Sequence, residues 1–322
     1  MNRLFHLVVP ALALAVQVVC ASASAQQYPA RPIRIVIGYP AGTTFDGAGR
    51  PLAVELSRRL GQPFVFDYKP GANTTIGAKS VATAAPDGYT LFFSNAISSH
   101  PIFNLNNAVD ANRELTPISM VSTLPYYFVS RQTLPVTSLA EMIAYAKANP
   151  GKLRHGAAVA SWDLMMQVVK DRTGIASESI PYKAAAPLTI ALLNAEVDWT
   201  VSSVQAFLPH IQAGTLRALF MTGTARSAQL PNVPTSIEVG LPGFHPTANF
   251  GMWAPPGTPR EIVQRLSGEI AVAARIPEVG EQIRKGSGSE PWGSTSEELG
   301  RHFEAEAKFW ADAARLANYK PQ

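Results

Sequence analysis

Several junctions in this sequence gather hydroxyls, amides and glycine with no lysine or arginine among them. The first is Tyr39-Pro40-Ala41-Gly42-Thr43-Thr44-Phe45-Asp46 and the second is Pro70-Gly71-Ala72-Asn73-Thr74-Thr75-Ile76-Gly77. Shorter ones are Ser94-Asn95, Ala158 to Ser161, Ala184 to Pro187 and Thr200 to Ser203. Most of them open a helical pattern, and the free N–H groups and dipole of a helix start favour an anion. Small residues let a carboxylate approach the backbone, and hydroxyls add neutral donors. The chemistry on offer is anion binding without a formal positive charge. Thr43, Thr44, Thr74, Thr75 and Ser161 are the expected direct contacts. Asp46 is expected to cap or orient the first loop, since its charge would repel an anion.

Signatures of catalysis are missing. There is no GxSxG, HExxH, GxxxxGK[ST] or CxxC pattern. His100, His155, His210, His245 and His302 are not paired at a metal-ligand spacing and read as capping, core-edge or surface residues. Asp163 and Asp198 have nothing local to make them an acid–base pair; Asp163 reads as a first-turn helix acid. The expectation is a binding protein, not an enzyme, with no cofactor and no metal.

The elements that must position these loops alternate. Pro32 to Gly38, Phe64 to Phe66 and Tyr89 to Phe93 read as strands. Helices are expected at Gly49 to Leu60, with Pro51 in the first turn, and at Asn73 to Ala84. This βαβαβ order implies a parallel sheet with right-handed crossovers. The pattern recurs after residue 130, with strands at Leu153 to Val159, Ile180 to Tyr182, Trp199 to Val201 and Leu216 to Met221. Helices are expected at Ser138 to Ala148, Asp163 to Asp171, Pro187 to Leu193 and Gln205 to Gln212. The C-terminal region reads as helices at Pro259 to Ala274, Glu278 to Arg284 and Ser296 to Ala317. Thr295 with Glu298 forms the pattern of a capping box. In a parallel sheet, loops at the strand C-terminal edge are where ligands bind.

Two extended, proline-bearing segments, Leu115 to Arg131 and Phe244 to Pro255, read as crossings between two α/β units. The expected division is 26–125 with 248–322 as one lobe and 126–247 as the other. Two lobes about a double crossing can close on a ligand.

The chain has 322 residues, 47% of them hydrophobic, enough for packed cores. The net charge of +4 comes from scattered lysines and arginines, which does not make a nucleic-acid face. Arg3, the apolar stretch Leu4 to Cys20 and the small-residue run Ala21 to Ala25 read as a secretory signal peptide, residues 1–25, cut after Ala25. The single cysteine, Cys20, would leave with it. A periplasmic or extracellular location, and a monomer, are the resulting expectations.

The ordered motifs resemble one family over essentially the whole mature chain: the periplasmic solute-binding proteins of the tripartite tricarboxylate transporter family, also called Bordetella uptake gene products. Tyr28-Pro29 through Ile37 is similar to its opening YPxRPIRxIV. Gly61-Gln62-Pro63, Pro70-Gly71-Ala72 and Ile76-Gly77-Ala78 are similar to GQPxVVxNRPGAxxxIGA. Ala85 to Leu91 matches APDGYTL, and Pro181 to Pro187 resembles PYKGAAPA with Ala184 for glycine. Leu208 to Leu219 resembles LPHIKAGKLRAL; Leu230 to Thr235 and Gly240 to Phe244 match LPDVPT and GLPGF.

The resemblance implies an α/β, two-lobe periplasmic binding protein (Venus flytrap) fold, each lobe a mostly parallel sheet flanked by helices. It implies capture of a small carboxylate and delivery to membrane permease subunits; a sensor kinase is the alternative recipient. It maps carboxylate binding to Ala41, Gly42, Thr43, Thr44, Phe45 and Asp46, and to the second loop, with Asn73, Thr74 and Thr75. Ser94 belongs to the same edge. In the second lobe it points to Ser161, Trp162, Tyr182, Ala184, Ser202 and Ser203.

Departures bear on specificity. The family's PPGGGxxD is PAGTTFD here, GGN is replaced by Asn73-Thr74-Thr75, and the Asp after the VDxxF strand is replaced by Ser202. Losing an acid disfavours a ligand ammonium. Phe45 and Trp162 add rings that could pack against an aryl acid such as terephthalate. If both rings face the core instead, an aliphatic di- or tricarboxylate is expected.

Overall fold

The structure is a computed structural model that describes residues 28–95, 100–102 and 109–319. The leader expected at residues 1–25, with Cys20, lies outside the described residues.

The chain runs β1 (Ile33–Ile37), α1 (Thr44–Leu60), β2 (Phe64–Tyr68), α2 (Thr75–Ala82) and β3 (Thr90–Ser94). A short α3 (Ala111–Glu114) precedes the long β4 (Thr116–Arg131). Then come α4 (Leu139–Ala148), β5 (Arg154–Ala157), α5 (Ala160–Thr173), β6 (Glu178–Pro181), α6 (Ala185–Leu193) and β7 (Trp199–Ser203). α7 (Val204–Gln212), β8 (Leu216–Met221) and β9 (Thr247–Ala254) follow, and α8 (Arg260–Ala274), α9 (Pro277–Ser287), β10 (Glu290–Pro291) and α10 (Ser296–Leu316) end the chain.

β1 pairs in parallel with β2 and β3, as β5 does with β6 and β7. The β-branched run of β1 is covered on both sides, with Ile33, Ile35, Val36 and Ile37 all buried, as a central parallel strand requires. Between the two parallel trios lie β9 and β4, antiparallel to each other and to their neighbours β3 and β7. The sheet path is β2-β1-β3-β9-β4-β7-β5-β6, with β8 and β10 also on β4. β4 occupies most of the crossing expected at Leu115 to Arg131 and belongs to both halves. Up to Pro125 it pairs with β9; from Tyr126 it pairs with β7 and β8.

Two helix starts differ from the sequence expectation by three residues or more. α1 begins at Thr44, not Gly49, so Pro51 lies inside the helix and not in its first turn. Threonine and glycine are weak helix formers and read as loop. Here the Thr43 carbonyl accepts from the N–H groups of Asp46 and Gly47, which closes the first turn. α5 begins at Ala160, not Asp163, because the Val159 carbonyl accepts from Trp162 and Asp163. The C-terminal capping box is realised: the Thr295 hydroxyl accepts from the Glu298 N–H at 3.1 Å, and the Glu298 carboxylate accepts from the Thr295 N–H at 2.8 Å.

Candidate ligand-binding cleft

The sheet registers place two sets of strand ends opposite one another. Ser94, the last residue of β3, pairs with Gly251, which pairs with Met120 of β4. Ser203, the last residue of β7, pairs with Tyr126 of β4. Six residues of β4 separate these levels, roughly 20 Å of strand at about 3.3 Å per residue. β3 and β7 run toward each other, so the C-terminal edges of both parallel trios face this interval. The loops after β1, β2, β5, β6 and β7 carry nearly all the expected site residues to it.

Asp46 organises the first loop. Its carboxylate accepts from the Gly42 N–H and from the Tyr68 hydroxyl, and Arg50 Nε lies 3.1 Å away. Asp46 is buried and its oxygens are taken up by these neighbours. Ala41 and Gly42 are exposed at the tip, and Thr43 and Thr44 are half-buried. In the second loop Ala72, Asn73 and Thr74 all have positive φ, at 46°, 47° and 69°. Three successive non-glycine residues in this region are strained, and such strain is concentrated at ligand clamps and active sites. Asn73 is exposed while Thr74 and Thr75 are buried. Thr74 presses on Gly38 so closely that a Cβ there would sit 2.6 Å from its own.

Thr43, Thr74 and Ser203 are N-caps of α1, α2 and α7, and none uses its hydroxyl to cap. Away from these edges, Ser138 and Thr295 do cap α4 and α10. The buried Thr43 Oγ1, Thr74 Oγ1, Ser94 Oγ, Asn95 Oδ1 and Ser202 Oγ have no hydrogen-bond partner among the described residues. A buried polar atom without a partner costs roughly 1–3 kcal/mol. These all stand at the facing strand ends, from both trios. Ala184 is the exposed N-cap of α6, and it too leaves that helix start without a side-chain cap.

α5 is tied down by a polar chain. The buried His155 Nδ1 lies 2.9 Å from Ser177 Oγ, and its Nε2 lies 3.6 Å from Asp163 Oδ1. The Ser179 hydroxyl donates to the same carboxylate at 2.8 Å. The His155 contact is the main cause holding the Asp163 carboxyl below its ordinary range. This fixes the first turn of α5 and with it Ser161 and Trp162. Asp198 makes a different, structural set: it accepts from Arg131 Nε and from the Arg154 N–H, both at 2.8 Å.

The two aromatic candidates differ. Phe45 is buried; Tyr39 stacks on it with centroids 4.3 Å apart, and Phe250 of β9 lies 4.3 Å away on a tilt. Two rings that close cannot share one face of Phe45, so both faces are covered. Trp162 is half-buried and packs on an apolar cluster that includes Val129 of β4 and Leu188 and Leu192 of α6. Tyr182 is half-buried too and lies beside Gly156, and burial raises its hydroxyl pKa. Sequence reasoning placed Asn95 and Tyr39 in polar junctions without giving either a contact, and it missed Phe250, which with Tyr39 walls the first loop. Phe250 is some two hundred positions from that loop, and nothing local marks it.

Two α/β halves joined by a shared strand, with uncapped helix starts and unpaired hydroxyls facing across it, define a solute-binding protein of the periplasmic binding protein class. The sequence profile of the tripartite tricarboxylate transporter family receptor matches residues 48–314, and the chain belongs to that family. It is 37% identical over 279 residues to the UPF0065 protein in the gbd 5' region of Cupriavidus necator, covering 85% of this chain and 84% of that one. It is 34% identical to protein BugT of Bordetella pertussis over 99% of both chains. Among solved structures, periplasmic binding protein BugD is 30% identical with a TM-score of 0.72, covering 92% of this chain and 100% of that one. An R. palustris protein solved with adipate is 30% identical with a TM-score of 0.75 over the same shares. The family is one of transporter receptors and BugD is a periplasmic binding protein; this chain, as a member of that family, is a binding protein and not an enzyme. The family serves membrane transporters and takes small carboxylates. No helix of the described residues is long and apolar enough to cross a membrane.

Proposed function

We propose that this protein captures a small dicarboxylate between two lobes, 26–125 with 248–322 and 126–247, and hands it to the permease subunits of a tripartite tricarboxylate-type transporter. The observation that carries the reading is the set of unused hydroxyls, Thr43, Thr74, Ser94 and Ser202, buried at facing strand ends. One carboxylate is received by the loops of Thr43–Thr44 and Thr74–Thr75, the other by Ser161 and Ser202–Ser203. A ligand favours closure only through contacts that both lobes make at once. The change of β4 partners at Pro125 and Tyr126 supports the division into lobes.

An aliphatic diacid is the leading ligand. The R. palustris neighbour was solved with adipate, and another R. palustris protein, 25% identical, with malate. An aryl diacid such as terephthalate is the second reading, and the half-buried Trp162 beside Ser161 favours it. Phe45 does not, because both its faces are covered. Secretion through residues 1–25 to the periplasm completes the proposal.

Thermal unfolding with adipate, malate, succinate, citrate, terephthalate and phthalate tests it. A ligand at a hundred times its Kd stabilises by about 2.7 kcal/mol. A shift with one or more diacids is expected. No shift with any acid in the panel overturns the reading, and a shift confined to aryl acids exchanges the leading ligand for the second.

A further inference from the structure

A cavity of about 320 Å³, lined by none of the residues assigned to the cleft, lies between the approach to β9 and the C-terminal helix α10. Its volume is at the lower end of that of small-molecule sites. Glu306 of α10 lines it and is itself only 8% exposed. Asn249 Nδ2 donates to one carboxylate oxygen at 2.9 Å, and Trp310 Nε1 donates to the other at 3.3 Å. Both donors are neutral, and no ion pair holds Glu306 among the described residues. An ionised carboxylate without a counter-charge is costly to bury.

The remaining lining is rich in acceptors. His302 sits one turn before Glu306 on the same helix, and His245 stands on the approach to β9. Burial, and then the neighbouring His245, lower the pKa of His302, so its ring is more readily neutral, with one nitrogen free to accept. The cation on the rim, Lys308, is engaged: its ammonium is 3.0 Å from Asp312. Phe309 supplies an apolar wall. What Glu306 lacks is a positively charged hydrogen-bond donor.

We propose that this cavity is a binding site for a small organic cation with N–H donors, a primary alkyl ammonium, which pairs with Glu306 and lays its apolar stem along Phe309. The site stands apart from the carboxylate cleft and does not depend on the function proposed for it. Its walls come from the crossing strand β9 and from α10, so an occupant braces the crossing.

Binding must compete with the proton. Burial pushes the Glu306 carboxyl up to about 7 against the hydrogen bonds from Asn249 and Trp310 that lower it. The groups facing Glu306 are Tyr126 of β4, Asn249 of β9, and His302 and Trp310 of its own helix, with His245, Lys308 and Asp312 around the cavity.

Calorimetric titration of the protein with n-butylamine in phosphate buffer tests the proposal, with n-butanol and tetramethylammonium as controls. Saturable binding of butylamine near pH 8 is expected, weaker by about tenfold near pH 6, where the carboxyl is mostly protonated. Butanol lacks the charge and tetramethylammonium lacks the N–H groups, and both should bind at least several-fold more weakly. Glu306→Gln should weaken butylamine by roughly tenfold or more. Lys308→Met, on an exposed rim position that does not threaten folding, should tighten it by removing a like charge and releasing Asp312. No butylamine binding near pH 8, equal binding of butanol, or an affinity that Lys308→Met leaves unchanged or weakens overturns the proposal. If Glu306→Gln does not fold, the pH series and Lys308→Met decide.

Discussion

Gly47 of α1 and Gly286 of α9 touch backbone to backbone: a Cβ on Gly47 would lie 2.1 Å from the Gly286 carbonyl oxygen. The contact lies one turn beyond Thr43 and one turn before Pro51. Proline offers no N–H to the carbonyl four residues earlier, and its ring crowds that carbonyl. The residue four before Pro51 is Gly47. A helix that starts in the ligand loop is thus held by a second helix at the turn that its own proline weakens.

Gly47→Ala should therefore destabilise the protein by about 1–3 kcal/mol, the usual cost of overpacking. The expected signature is a lower midpoint in urea, together with weaker binding of whichever diacid the panel identifies, because α1 carries Thr44 and Asp46. An unchanged midpoint would show that α9 yields without cost.

Thr43→Val separates ligand contact from stability. The hydroxyl has no partner among the described residues, so its replacement by a methyl removes no hydrogen bond of the fold. Stability should hold or rise slightly, and diacid affinity should fall roughly tenfold, as loss of a hydrogen bond to a charged group predicts. Titration calorimetry beside a urea melt reads both. Affinity equal to that of the wild type would remove Thr43 from the site. Ser202→Ala should behave alike from the opposite edge.

Asp46→Asn should act through the loop. An amide keeps one acceptor oxygen for Gly42, Tyr68 and Arg50, so at least one contact is lost, at about 1–3 kcal/mol. The Tyr68 hydroxyl gives a direct readout. Its pKa is raised by burial first, and then by its hydrogen bond to Asp46 and that carboxylate's charge. In the variant it should titrate at lower pH, with the part due to burial remaining. A Tyr68 titration that does not move in ultraviolet difference spectra would contradict the contact.

Glu306 makes stability depend on pH in an unusual direction for an acid. Its folded pKa, about 7, lies above the ordinary 4.5, so the folded state holds the proton more tightly. The contribution is full below about pH 4.5, declines as pH rises toward 7 and is gone above it; its whole span is of order 3 kcal/mol. In Glu306→Gln this decline should vanish. Urea midpoints from pH 5 to about 8, wild type minus variant, measure it. A difference that stays flat would mean that the carboxyl is ionised throughout.

The parallel trios were legible because each strand is a compact apolar run closed by glycine or polar residues, as in Pro32 to Gly38. Of the family motifs, Pro70-Gly71-Ala72 and Pro181 to Pro187 lie on loops that face the cleft, whereas Gly61 to Pro63 and Ala85 to Gly88 lead into β2 and β3 from the opposite edge. The antiparallel insertion of β9 was not legible, since pairing between Ser94 and Gly251 leaves no mark on either neighbourhood. The start of α1 was hidden for the opposite reason: Gly42-Thr43-Thr44 has the composition of a loop, and Asp46 turns it into a helix start by reaching back to Gly42. Phe45 was misleading as a ligand ring because its covers, Tyr39 and Phe250, come from two different elements. Glu306 reads in sequence as one more charge on an amphipathic helix, and its burial depends on Asn249 and Trp310 together.

The position of β9 also sets an order of assembly. It lies between β3 and β4, two strands made well over a hundred residues before it. Until residues 247–254 arrive, the first trio ends at an open edge and β4 has no neighbour on that side, while every strand from β5 to β8 already has its full set of partners. The second half is therefore free to finish while the first waits. An open edge of this kind is a place where a folding chaperone can hold the chain, and where truncation ahead of residue 247 leaves a species prone to stick to its own kind.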